Sequence, residues 1–232
     1  INIPEKTTCI VKRYNNNISY ITHNTRYTQF SGITSKILRT SNGRLHNGFE
    51  EIVFEDLGEH KTLRECTALV TDELSLNYLL VNICEVLDTI HQQSAIHSDL
   101  CPNNIVVCSE DITQVKILGL QHIQSVPDPL IYKLGNEYQC PEVKIAVCNN
   151  VPITTAFNQD VYMLGKLLSE LCEGKVSPVL LQMININPAQ RPSLKNVICL
   201  SEYRIEHLLR TVIVNHLGCL PAVLQNLVYM YL

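Results

Sequence analysis

The sequence contains no pair of cysteines at CxxC spacing, no cluster of basic residues and no apolar run long enough to cross a bilayer. Each absence removes a class of function. The ten cysteines stand singly, most of them inside apolar runs, which excludes a zinc ribbon and a small disulfide scaffold and points to buried, reduced thiols. That implies an intracellular chain, cytoplasmic or nuclear. A formal charge of −4 with scattered Lys and Arg excludes the electrostatic footprint of a nucleic-acid or anionic-membrane binder, so protein partners are expected. The longest nearly uncharged stretch, Cys219 to Leu232, falls short of the roughly 20 residues that a bilayer requires. The chain opens on Ile1 with no basic segment ahead of an apolar one, and it reads as a piece of a longer protein.

Acid is missing locally as well. From Arg13 to Phe49 there is no Asp or Glu, and Ser, Thr, Asn and Tyr predominate, so any helix there would be weak. No glycine precedes Lys12.

What is present is 46% apolar residues, enough for a core, arranged with clear periodicity. The β-branched run Thr7 to Tyr14 predicts a strand, and Glu50 to Leu57 a second one ending at a turn at Gly58. Helix is expected soon after Lys61. Between Leu74 and Gln93, Leu76, Leu79, Leu80, Ile83, Val86, Leu87 and Ile90 recur every three or four residues, the stripe of a long helix buried along one side. A polar loop from His97 to Asn104 follows. Ile105 to Val107 and Val115 to Leu118 then predict a hairpin. Val161 to Leu171 predicts another amphipathic helix, and Leu200 to Leu232 two more, broken at Gly218 to Pro221.

The polar loop carries the chemistry. Ile96-His97-Ser98-Asp99-Leu100, with Asn104 five residues after the Asp, resembles the catalytic loop of protein kinases. Val115-Lys116-Ile117-Leu118 resembles the strand that leads into their Asp-Phe-Gly motif, and Tyr138-Gln139-Cys140-Pro141-Glu142 their Ala-Pro-Glu motif. Asp160 to Gly165 resembles the start of their central lower-lobe helix, and Asn187-Pro188-Ala189-Gln190-Arg191-Pro192 the Asp-Pro-x-x-Arg-Pro signature. All five occur in the family's order. More thinly, Cys9 to Lys12 resembles the strand that ends in the nucleotide-binding lysine, and Ile52 to Leu57 the strand and hinge between lobes.

The resemblance implies an α+β, bilobal protein-kinase-like fold with a reduced N-lobe sheet and a mainly helical C-lobe. Residues 1–58 would form the reduced N-lobe, 59–199 the C-lobe, and 200–232 a C-terminal helical extension. It also implies residue roles: Asp99 as the base, Lys12 on the phosphates, Asn104 on a magnesium ion, Asp160 accepting backbone bonds from the loop, and Glu142 paired with Arg191. Only 25 residues separate Gly165 from Arg191, so the helix that many kinases use to dock substrate is expected to be shortened or absent.

Several parts of that machinery are missing. No phosphate-cradling glycine loop precedes Lys12, and no acid follows it to orient the lysine, which reads equally as a solvated residue at a strand end. Gly119-Leu120-Gln121 stands where Asp-Phe-Gly would put a magnesium-binding carboxylate. Ser98 replaces an arginine and Cys101 a lysine. The expectation is a catalytically inactive kinase-like domain, not an enzyme, in which Asp99 shapes the loop and Lys12 and Asn104 are remnants of a nucleotide site. No metal ligand set and no cofactor are expected, with ATP and magnesium bound weakly or not at all. The partner would be an active kinase or a larger host polypeptide, or a second copy through 200–232. The alternative is a weakly active, divergent Ser/Thr kinase with Asp99 as base.

Overall fold

The computed structural model describes residues 10–14, 30, 37, 44–46, 49–54, 60–66, 70, 72–108, 111, 113–131, 136–172 and 177–217. Within them, helix and small antiparallel sheets combine as an α+β arrangement.

In the N-terminal part, β1 (Ile10–Tyr14), β2 (Arg44–His46) and β3 (Phe49–Phe54) make a three-stranded antiparallel sheet with β3 at its centre. The register sets Lys12 opposite Ile52. The strands expected over 7–14 and 50–57 are described over 10–14 and 49–54, and their remaining residues, with the hinge expected by Leu57, lie outside the described residues.

Among the described residues from Lys61 to Asp72 no helix starts. Instead β4 (His60–Thr62) pairs with β6 (Ile105–Cys108). A turn then closes on the Glu65 carboxylate, which accepts bonds from the Thr62 backbone N–H at 2.9 Å and its hydroxyl at 2.7 Å. After Thr62 the next described helix is α1 (Glu73–Gln92), where the Asp72 carboxylate caps the first turn by accepting from the Ser75 N–H at 2.8 Å. The expected apolar stripe is buried: Leu76, Leu79, Leu80, Ile83, Val86, Leu87 and Ile90 are all at most 2% exposed.

Beyond α1, β5 (Ala95–Ile96) pairs with β8 (Gln124–Ser125), and β6 pairs with β7 (Val115–Ile117) as the expected hairpin. Between β5 and β6 runs the loop, closed by a 3₁₀ turn at Pro102–Asn104. Four helices complete the lobe: α2 (Pro141–Cys148), α3 (Phe157–Leu171), α4 (Pro178–Met183) and α5 (Leu194–Leu217). The helix expected from Leu200 thus starts six residues earlier and runs unbroken to Leu217, while the second helix expected after Pro221 lies outside the described residues. Short α4 occupies the interval in which a reduced docking helix was expected.

The core gathers α1, β6, β7, α3 and α4 around Leu79, Leu87, Ile105, Ile117, Leu164 and Met183. The α3–α4 contact depends on Gly165, because a Cβ built there would stand 2.6 Å from Met183 Cβ and 3.1 Å from Ile184 Cγ2. Gly165→Ala should therefore destabilise the fold, since overpacking costs about 1–3 kcal/mol and outweighs the helix-propensity gain of about 1 kcal/mol. Denaturant unfolding checks this; a variant as stable as the parent contradicts it.

Candidate functional site

The loop from His97 to Asn104 is fixed from three sides. The first is a buried carboxylate on α3. Asp160 is inaccessible to solvent and accepts from the backbone N–H of His97 (Oδ2, 2.7 Å) and of Ser98 (Oδ1, 2.9 Å), while His91 Nε2 on α1 lies 3.0 Å from Oδ2. The Phe157 ring packs beside His91, with centroids 4.7 Å apart. Burial pushes the Asp160 carboxyl up, but His91 and the loop N–H groups outweigh it and hold the group below the ordinary carboxylate range. This matches the role that the sequence suggested for Asp160.

The second anchor is His97, fully buried, whose Nε2 is 2.7 Å from the Leu118 carbonyl and whose Nδ1 is 3.3 Å from the Asp99 N–H. A carbonyl only accepts and an amide N–H only donates. Nε2 therefore donates to the carbonyl, tying the loop to the residue just after β7.

The third is Ser98, at φ +61°, a left-handed conformation that a non-glycine residue adopts only when its surroundings impose it. Its hydroxyl donates to the His122 carbonyl and accepts from Gln124 Nε2 at 3.0 Å. Gln124 in turn clasps the backbone of Ile131, with 2.7 Å to the carbonyl and 2.6 Å from the N–H. A serine thus does a local bracing job where the family's motif has arginine.

Asp99 itself is 2% exposed. Asn104 Nδ2 donates to the Asp99 carbonyl at 2.7 Å and to Oδ2 at 3.1 Å, which closes the loop upon itself. Asn136 Nδ2 donates to Oδ1 at 3.1 Å, and His122 Nε2 lies 3.4 Å from Oδ2. Asp99 and Asn104, which the sequence reading placed in one loop, are in direct contact. That reading missed Asn136, His122 and His91, which lie 37, 23 and eight residues from Asp99 and carry no motif spacing. Lys12 sits on β1, and its side chain lies outside the described residues.

Resemblance to kinases raises the question of magnesium, which Asn104 would share with a carboxylate after β7. Gly119 occupies that position with φ +82°, and a Cβ there would stand 2.8 Å from both Cγ and Nδ2 of Asn104. The Asn104 amide thus fills the space that a second ligand's side chain would enter. This donor set does not fit a magnesium ion held between the loop and the segment after β7. Among the described residues, no group of three or more His, Cys, Asp or Glu could hold a metal ion.

Below the loop, Glu142 at the start of α2 and Arg191 form a bidentate pair at 2.6 and 2.8 Å. The guanidinium, buried at 0% side-chain exposure, also donates to the carbonyls of Asn185 (2.9 Å) and Asn158 (3.1 Å) and lies 4.7 Å from the Tyr162 ring centre. Burial pushes the Glu142 carboxyl up, and the bond to Arg191 reverses this to a net lowering. Neighbouring Cys140 has its thiol pushed up to about 12 by burial and by the Glu142 charge.

Two curated relatives align with this chain. One is a probable serine/threonine-protein kinase glkA of Dictyostelium discoideum, 28% identical over 107 residues, covering 44% of this chain and 22% of the relative. The other is the striated muscle preferentially expressed protein kinase of Danio rerio, 27% identical over 172 residues, covering 67% of this chain and 6% of the relative. These similarities support a kinase-like relationship. The chain spans less than a quarter of either relative's length. No family model matches. The expectation that the chain is not an enzyme is overturned here: both relatives are named as protein kinases, an enzyme class, and nothing in the geometry shows activity to be lost.

Two outcomes follow from the carboxylates. Glu142→Gln leaves the buried Arg191 without its counter-charge and should cost about 3–5 kcal/mol in denaturant unfolding. Asp160 and Glu142 both titrate below their unfolded values. Their stabilisation is therefore present at neutral pH, above the unfolded carboxylate value, and is lost as pH falls through the folded one. Asp160→Asn should flatten that acid limb, and an unchanged pH–stability curve contradicts the assignment.

Proposed function

We propose that this kinase-like domain works as a protein-binding scaffold or allosteric regulator, inside the cell, for an active kinase or a larger host polypeptide. The observation that carries this reading is the contrast between the braces that hold the loop and the segments below it and the side of the loop that carries Asn104. The bracing contacts are complete: Asp160 to the His97 and Ser98 amides, and Glu142 to Arg191. The nucleotide-facing side has Asn104 folded onto Asp99 and packed against Gly119. Such a lobe presents a rigid surface and holds ATP with magnesium weakly. Leu181 on α4 and Ile186 just after it, 56% and 76% exposed, add apolar surface of the kind protein partners cover.

A second reading is slow phosphoryl transfer to a protein hydroxyl with Asp99 as base. It is favoured by the retained Asp99–Asn104 contact and by the names of the two relatives.

Thermal unfolding with and without ATP and magnesium tests the first reading, which predicts no magnesium-dependent shift. Stabilisation approaching about 2.7 kcal/mol at a hundredfold excess over the dissociation constant contradicts it. Radiolabel transfer from ATP to a protein acceptor, compared between the parent and Asp99→Asn, tests the second: transfer that vanishes in the variant establishes Asp99 as base, and none in the parent removes that reading.

A further inference from the structure

Helix α5 meets two different environments along its length. Its first turns belong to the lobe: Leu194, Val197 and Ser201 are buried, and Arg204 grips Glu73 at the start of α1 at 2.6 Å (Nε) and 2.8 Å (the terminal NH₂). From Leu209 to His216 every residue is exposed. This half nevertheless carries Leu209, Val212, Ile213 and Val214, each 39–52% exposed. Of these, Ile213 lies on the side turned away from the lobe, whereas Val212 continues the line of Leu194, Val197 and Ser201.

The side of α5 turned away from Leu194, Val197 and Ser201 carries positions 199, 203, 206, 210, 213 and 217, at alternating spacings of four and three. That is the spacing of a helix-pair seam. Its chemistry reads as a mirror about Leu208: Cys199 corresponds to Leu217, Tyr203 to Ile213, and Glu206 to Arg210. Within one chain Glu206 and Arg210 already pair at 2.7 Å, with side chains 60% and 52% exposed, so both remain available to a neighbour.

We propose that a second copy of this chain packs antiparallel along this seam, about a two-fold axis beside Leu208. Glu206 then faces Arg210 of the partner subunit, Arg210 faces the partner's Glu206, and the aromatic and aliphatic positions meet on either side of this ring of four charges. An isologous contact requires a self-complementary patch, and the mirrored order supplies one. A parallel pair would set Glu206 against Glu206 and Arg210 against Arg210, so the same charges select the antiparallel arrangement. Pairing through α5 leaves the loop surface free, so it stands or falls separately from the scaffold role proposed above.

Sedimentation velocity over a range of protein concentrations tests the pairing, with a reversible dimer expected for the parent. Arg210→Glu puts like charges face to face and should weaken the dimer at least tenfold. The exchange of both, Glu206→Arg with Arg210→Glu, restores opposite charges across the axis and within the helix, and the dimer with them. In a Cys199→Ser background, Tyr203→Cys mixed with Ile213→Cys should form an intermolecular disulfide, whereas Tyr203→Cys alone should not. A parent that is monomeric at every concentration overturns the proposal, as does an Arg210→Glu variant as dimeric as the parent, or self-crosslinking of Tyr203→Cys.

Discussion

A single buried carboxylate fixes the geometry of the whole site. Asp160 has no access to water, so it is tolerable only because three donors surround it: two consecutive amides of the loop and the imidazole of His91. Those donors come from separate parts of the chain, and satisfying one carboxylate therefore joins α1, α3 and the loop. Once His97 and Ser98 are held there, the rest of the loop has little freedom. The His97 imidazole reaches the Leu118 carbonyl, Ser98 is held at positive φ, and Asp99 turns into the space where Asn104, Asn136 and His122 meet it.

Against that framework, the segment after β7 stands out. Gly119 permits the left-handed turn and the close approach of Asn104, and the two features require each other: any side chain at 119 would displace the amide that closes the loop. The Asn104 amide is taken up by the bracing contact to Asp99 and packs against Gly119. The second brace, Glu142 with Arg191, repeats the logic lower in the lobe, where every charge that is buried is also paired and hydrogen-bonded.

Much of this was legible in the sequence, and for physical reasons. The helix stripe from Leu76 to Ile90 and the Ile105–Val115 hairpin follow from periodicity, which survives without knowledge of distant contacts, whereas the pairs Asp160 with the loop and Glu142 with Arg191 came from the resemblance to the kinase motifs. The β4 strand was not read from the sequence because its three residues carry no period, and its identity is set by pairing with β6 far along the chain. Asn136, His122 and His91 escaped notice for the same reason, since each acquires its role only when the fold carries it to Asp99 or Asp160. The start of α5 at Leu194 was hidden because its first turns are partly polar outside and are buried through packing on α1 and α4. The inference from missing motif residues to a missing activity went too far: relatives named as kinases share the alignment, and the absence of some motif residues is not a demonstration of inactivity.

The central claim is that Asp160 clamps the loop into one rigid conformation. Hydrogen exchange at the His97 and Ser98 amides measures this directly. Slow exchange is predicted in the parent, comparable with the interior of α3 and accelerated by orders of magnitude in Asp160→Asn; amides that exchange in the parent as fast as the exposed turn at Asn149 and Asn150 would contradict the account.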